Sequence, residues 1–183
     1  MESIADEYRI DMKKVYFAGD SAGAQIAAQF VTIQTHTEYA QAAGLTPVVK
    51  EPAAIAGALF FCGPYDITKI ARADNPDVVK LYTFIAESYL GRKAWQDSTA
   101  AQMASIVDKV SASFPPAFIT DGTEFSFPEH ARELYAALQE KGVDSVLVMY
   151  PDAALPHEYQ FTMTSEYAQK TFTELVAFLK RTS

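Results

Sequence analysis

Near-continuous apolar runs punctuate the chain at 14–19, 55–62, 117–120 and 145–150. Each is bounded by turn-forming or polar residues: Pro52 before the second and Gly63-Pro64 after it, Pro115-Pro116 before the third, Pro151 after the fourth. Runs that lack polar alternation mark strands buried on both faces, as in a parallel sheet. Between them the apolar positions change to helical spacing. Residues 22–35 follow the first run directly. Residues 128–141 place Ala131, Leu134, Tyr135 and Leu138 on one face, and Gly142 stops the helix. Residues 165–181 place Ala168, Phe172, Leu175 and Leu179 on one face. Strands alternating with helices predict an α/β fold: a three-layer α/β/α arrangement around a mostly parallel sheet, with right-handed crossovers.

Residues 64–112 interrupt this rhythm. They are too long for a simple crossover, and the pattern predicts helices near 76–90 and 97–110. The expectation is a single domain over 1–183 with a lid-like helical insertion at about 64–112. Tyr82, Phe84, Tyr89 and Trp95 lie in that insertion, and aromatic residues at such spacing serve packing more often than substrate contact.

Composition narrows the function classes. The chain has 183 residues, 49% of them hydrophobic, and a formal net charge of −8. An acidic surface repels phosphate backbones and anionic membranes, so neither nucleic acid nor a membrane is an expected partner. The apolar run ending at Cys62 is too short to span a bilayer. The first ten residues are charged and hold no apolar core of a signal peptide. The single cysteine, Cys62, allows no intrachain disulfide, which fits a reducing compartment. A cytoplasmic location is the expectation.

The sharpest chemical signal is Gly19-Asp20-Ser21-Ala22-Gly23, a G-x-S-x-G run where the first strand stops and the first long helix starts. That context matters more than the motif. A tight strand-to-helix turn holds the serine in a strained backbone conformation, and flanking glycines let neighbouring backbone approach. The helix N-terminus favours negative charge there, and the N–H of Ala22 is placed to donate to a developing oxyanion. The G-D-S-G-G run of trypsin-like proteases is the competing reading. It requires a histidine before the serine, and residues 1–20 contain none.

A triad in the order serine, acid, histidine needs a base after the fourth strand. Of the three histidines, His36 lies at the far end of the helix that follows Ser21, and His130 in the first turn of the 128–141 helix. His157 lies in the loop Leu155-Pro156-His157-Glu158-Tyr159, at the carboxyl edge of the sheet. The acid is expected just after the third strand, in Thr120-Asp121-Gly122-Thr123-Glu124-Phe125. Glu124 is preferred because it sits deeper in the loop, with Asp121 as the alternative. Asp66 and Asp152 are weaker candidates. No H-x-x-x-H spacing, cysteine cluster or phosphate-binding glycine loop is present, so no metal or cofactor is expected.

Ile10-Asp11-Met12-Lys13-Lys14-Val15, followed by Ala18-Gly19-Asp20-Ser21-Ala22-Gly23, resembles the hormone-sensitive-lipase-type esterases of the α/β-hydrolase fold. Tyr89-Leu90-Gly91, Phe114-Pro115-Pro116-Ala117-Phe118-Ile119 and Pro156-His157-Glu158 extend the resemblance over nearly the whole chain. It departs at the acid, where the family usually has aspartate and this sequence has Glu124. It also departs at the front. The family carries several strands before the elbow and an H-G-G-type loop supplying further oxyanion donors, and this sequence shows neither. The resemblance therefore implies a truncated α/β-hydrolase fold with the later strands of the family's sheet.

Together these readings predict a serine carboxylic-ester hydrolase acting on short-chain esters through Ser21, Glu124 and His157. The alternative is a truncated, catalytically weak or inactive hydrolase remnant that acts by association. An elbow strand left unpaired on one side is an association hazard, so a homodimer or other self-association through that edge is also expected.

Overall fold

In the computed structural model, which describes residues 4–72, 75–91 and 94–183, the four apolar runs form one parallel sheet in the order β1-β2-β3-β4. The strands are β1 (Val15–Asp20), β2 (Ile55–Phe61), β3 (Ala117–Thr120) and β4 (Ser145–Val148). Neighbours run parallel throughout, with Phe17 opposite Ala58, Phe60 opposite Ile119 and Phe118 opposite Val146. β1 lies at one end of this order and pairs only with β2 among the described residues.

The helices are α1 (Ala5–Tyr8), α2 (Ala22–Thr35), α3 (Thr37–Ala42), α4 (Pro76–Leu90), α5 (Thr99–Ala104), α6 (Pro128–Glu140) and α7 (Glu166–Thr182). Because successive strand residues point to opposite faces, each strand supplies two cores. Ala58, Phe60, Ala117 and Ile119 join Ala24, Ala28 and Val31 of α2 and Ala131, Leu134 and Leu138 of α6 on one face. On the other, Leu59 and Phe118 pack with Phe178, Leu175 and Leu179 of α7. This is the three-layer α/β/α arrangement.

Helix α7 is rotated relative to the expected face. Ala168, Thr171 and Phe178 are its buried residues, whereas Phe172 is 53% exposed. The seam follows 168, 171, 175 and 178 at spacings of three and four, so Phe172 falls on its flank. The predicted helix at 97–110 is also shorter, closing at Ala104.

Within 64–112, α4 spans the predicted range, and the segment builds a core of its own. Trp95, Tyr82, Val78 and Ala86 pack with Ile67, Ile70, Ala101, Ala104 and Phe127. Tyr82 and Trp95 are buried, while Phe84 and Tyr89 are exposed. Ala73, Asp74, Arg92 and Lys93 of this segment lie outside the described residues. Phe127 belongs to the loop after β3, so this helical layer rests directly on the loop that carries the candidate acids.

Candidate active site

Ser21 sits at the end of β1 as the residue before α2, with φ 50° and ψ −123°. A positive φ is costly for a non-glycine residue. It persists because both flanks are fixed. The Ser21 amide donates to the Phe61 carbonyl at 2.8 Å, which extends the β1–β2 ladder, and the Ser21 carbonyl accepts from Ala24 at 3.1 Å to start the helix. The two glycines of the motif differ in role. A Cβ on Gly19 would lie 2.2 Å from the Gly23 carbonyl oxygen, whereas one on Gly23 would come no closer than 4.0 Å, to Asp20 Oδ1. Gly19 therefore provides the space, and the backbone of Gly23 fills it. As the first residue of α2, Ala22 has an amide with no intrahelical acceptor.

His157 arrives from the loop after β4. Its Nε2 lies 2.9 Å from Ser21 Oγ, and its Nδ1 lies 2.8 Å from Ser126 Oγ. The Ser126 hydroxyl donates in turn to Asp121 Oδ1. The Phe127 amide donates to the same oxygen at 3.3 Å. The chain of contacts is thus Ser21, His157, Ser126, Asp121. Neither acid singled out from the sequence bonds the imidazole directly. Glu124 meets His157 through its main chain, its carbonyl accepting from the His157 amide at 3.0 Å, and the residue is exposed. Asp121, fully buried at the end of β3, stands one hydroxyl away. The reason lies in the turn. Phe125 has φ 51°, which reverses the loop so that Ser126, not Glu124, faces the imidazole.

The other candidates go elsewhere. Asp66 Oδ1 accepts from the Thr68 amide at 3.1 Å and from the Ser105 hydroxyl at 3.1 Å, bracing a turn. Asp152 is exposed in the turn after β4. His36 Nδ1 lies 2.6 Å from the Lys109 carbonyl oxygen, and His130 Nδ1 accepts from the Asp66 amide. Asp20 serves a pairing the sequence did not suggest. It hydrogen-bonds the carboxyl of Glu158, raising that group's pKa, and so links the elbow to the histidine loop.

Burial sets the protonation states. It pushes the His157 imidazole below its ordinary range, partly offset by the Asp20 carboxylate, so the neutral base predominates at neutral pH. It pushes Asp121 up to about 7, against the lowering effect of its bonds from Ser126 and Phe127. Asp121 Oδ2 has no hydrogen-bond partner among the described residues, so this part of the buried carboxyl is taken out of water without a replacement bond.

This has a stability consequence. The folded chain holds the Asp121 proton more tightly than the unfolded one, so the resulting stability is fully present below about pH 4 and is lost as pH rises through about 7. The upper bound is on the order of 4 kcal/mol. Asp121→Asn is expected to flatten the fall in melting temperature between those pH values. An equally steep profile in the variant would assign the fall to other groups.

Cys62, Asp121 and His157 offer donor atoms within 4.8 Å of one another. Burial pushes the Cys62 thiol up to about 12, and the Ser126 hydroxyl joins Asp121 to His157.

The alpha/beta hydrolase fold family matches residues 1–161, and the chain belongs to that family. Three solved structures are similar to it. An inhibited esterase B from Lactobacillus rhamnosis is 19% identical with a TM-score of 0.66, the match covering 95% of this chain and 57% of that one. An esterase from the bacterial hormone-sensitive lipase family is also 19% identical with a TM-score of 0.66, covering 99% and 57%. A carboxylesterase from Lactobacillus plantarum is 16% identical with a TM-score of 0.67, covering 96% and 60%. This chain therefore spans less than two-thirds of the length of each. At these identities the likeness concerns the fold. Comparison with curated protein sequences gave no match. Among the described residues no helix is long and apolar enough to cross a membrane.

Proposed function

We propose that this chain is a serine carboxylic-ester hydrolase of the α/β-hydrolase fold, acting on short-chain esters. The observation that carries the reading is the 2.9 Å contact between Ser21 Oγ, on its strained elbow, and His157 Nε2. A hydroxyl is a weak nucleophile until a base takes its proton. In the proposed reaction His157 Nε2 accepts the Ser21 proton as Oγ bonds to the ester carbonyl carbon. The carbonyl oxygen becomes an oxyanion facing the Ala22 amide at the N-terminus of α2. The imidazolium then returns the proton to the departing alcohol, leaving an acyl-enzyme. Water repeats the sequence: His157 takes its proton, the acyl–Oγ bond breaks, and Ser21 regains its hydrogen.

The esterases and carboxylesterase with similar structures support this reading through their shared architecture. The alternative, a catalytically weak domain acting by association, draws on the part of those structures that this chain does not span. A fluorophosphonate probe separates the two, because it reports the activated serine without requiring a complete substrate pocket. Ser21 is expected to be labelled and Ser21→Ala to be inert. Labelling that persists in Ser21→Ala would move the nucleophile elsewhere, and an unlabelled parent chain would favour the alternative.

A further inference from the structure

Among the described residues no carboxylate bonds His157 Nδ1. A hydroxyl occupies that position, and its two bonds constrain where the protons can be. We propose that Ser126 is a positioning residue: its hydroxyl relays the orienting influence of the Asp121 carboxylate to His157 and fixes the imidazole with Nε2 free to take the Ser21 proton. This rests on the assignment of Ser21 and His157 above.

The argument is one of donors and acceptors. Ser126 Oγ has a single hydrogen, and it is donated to Asp121 Oδ1, which also accepts from the Phe127 amide. What Ser126 presents to Nδ1 at 2.8 Å is therefore a lone pair. Nδ1 must carry the hydrogen, which leaves the Nε2 lone pair facing Ser21 Oγ at 2.9 Å. The opposite polarity would place an N–H on Nε2, and that nitrogen could take no proton from Ser21.

The loop holds Ser126 on both sides. The Phe125 carbonyl accepts from the Tyr82 hydroxyl at 2.8 Å. The Phe127 ring lies 4.5 Å from Tyr82 between centroids and stands edge-on to His157 at 5.8 Å and 87°. Tyr82 itself is 7% exposed, in the core of the helical layer. The backbone at Ser126 thus cannot move away without disturbing the Tyr82 and Phe127 contacts on either side of it. A surface serine that bonded a histidine by chance would have neither these anchors nor a buried carboxylate behind it.

The test reads the imidazole and the serine separately. In ¹⁵N spectra of the imidazole at mildly alkaline pH, His157 is expected to be protonated on Nδ1. Ser126→Ala should shift it toward the Nε2–H form. Fluorophosphonate labelling of Ser21 should slow roughly 10- to 100-fold in Ser126→Ala, less than the roughly 10⁴-fold loss known for a wrong tautomer on a directly bonded acid. Ser126→Ala combined with Asp121→Asn should be no slower than the slower single variant, because both cut one path. Ser126→Cys, close in size and a poor acceptor, should show the same tautomer shift if alanine disturbs the loop. An unchanged tautomer with parental labelling, or slowdowns that multiply in the double variant, would overturn the relay. If the parent chain is not labelled at all, the hydrolase reading fails, while the tautomer spectra still decide whether Ser126 orients His157.

Discussion

Replacing His157 with alanine is expected to slow acylation of Ser21 by roughly 10⁴-fold or more, the scale on which serine hydrolases lose activity when a member of the triad is removed. The elbow and the helix N-terminus would remain, but neither can accept a proton. The other two histidines provide internal controls. His130 is buried beside the Phe127 ring and accepts from the Asp66 amide. His36 holds the Lys109 carbonyl region at the far end of α2. Substituting either removes a structural bond, so the effect should appear in the melting temperature and not in the labelling rate of the folded fraction. Time courses of fluorophosphonate labelling for the three alanine variants, corrected for folded protein, make the comparison. Equal rates for His157→Ala and the parent chain would remove the base from the mechanism.

Gly19→Ala is expected to be the most damaging single methyl addition in the chain. The new Cβ would lie 2.2 Å from the Gly23 carbonyl oxygen, 2.3 Å from its carbon and 2.7 Å from the Ala24 nitrogen. All three atoms are backbone in the first turn of α2, and α2 is packed by Ala24, Ala28 and Val31 into the larger core. No rotamer change relieves such a clash. The first turn must unwind or the helix must lift from the sheet, which places the loss at about 3 kcal/mol or more, at or beyond the upper end of the usual cost of overpacking. Gly23→Ala is the matched control, since its Cβ meets nothing closer than 4.0 Å. Chemical denaturation of the two variants should give a large loss for the first and little change for the second. A Gly19→Ala protein that melts like the parent chain would show that the elbow does not close as described.

What is legible in the sequence is what local chemistry determines. Strands buried on both faces appear as unbroken apolar runs, so β3 is found to the residue and β2 within one. The elbow is legible because its glycine spacing is local: Gly19 makes room for the Gly23 backbone four residues on. The approach of His157 to Ser21 follows from elimination among three histidines. The remainder depends on tertiary geometry. Ser126 lies in a Phe-Ser-Phe run that carries no sign of a polar task, and it faces His157 only because Phe125 takes a left-handed conformation. The burial of Asp121 follows from its place at the end of β3, whereas a position deeper in the loop, the ground for preferring Glu124, turns out to lie at the surface. Phe172 and Phe178 have the same hydrophobicity, and which of them enters the core is decided by the rotation of α7 against Phe118. Helix α3 has too few turns to show a period.

The acid-bearing loop and the histidine loop are joined more closely than two neighbouring loops need be. Glu124 bridges Pro156 in parallel register. The amides of Thr123 and Glu124 both donate to the Leu155 carbonyl, at 2.8 and 2.9 Å, and the Leu155 amide returns a bond to Thr123 Oγ1. Gly122 leaves no room between them, since a Cβ there would lie 2.4 Å from the Pro156 carbonyl oxygen. Two segments that share their backbone hydrogen bonds in this way fluctuate as a single cooperative unit, opening or staying closed together. Any opening of the loops that carries His157 off Ser21 therefore also exposes the peptide groups beside Asp121 and Ser126 to water, so the backbone order of the site is set by the free energy of the paired loops.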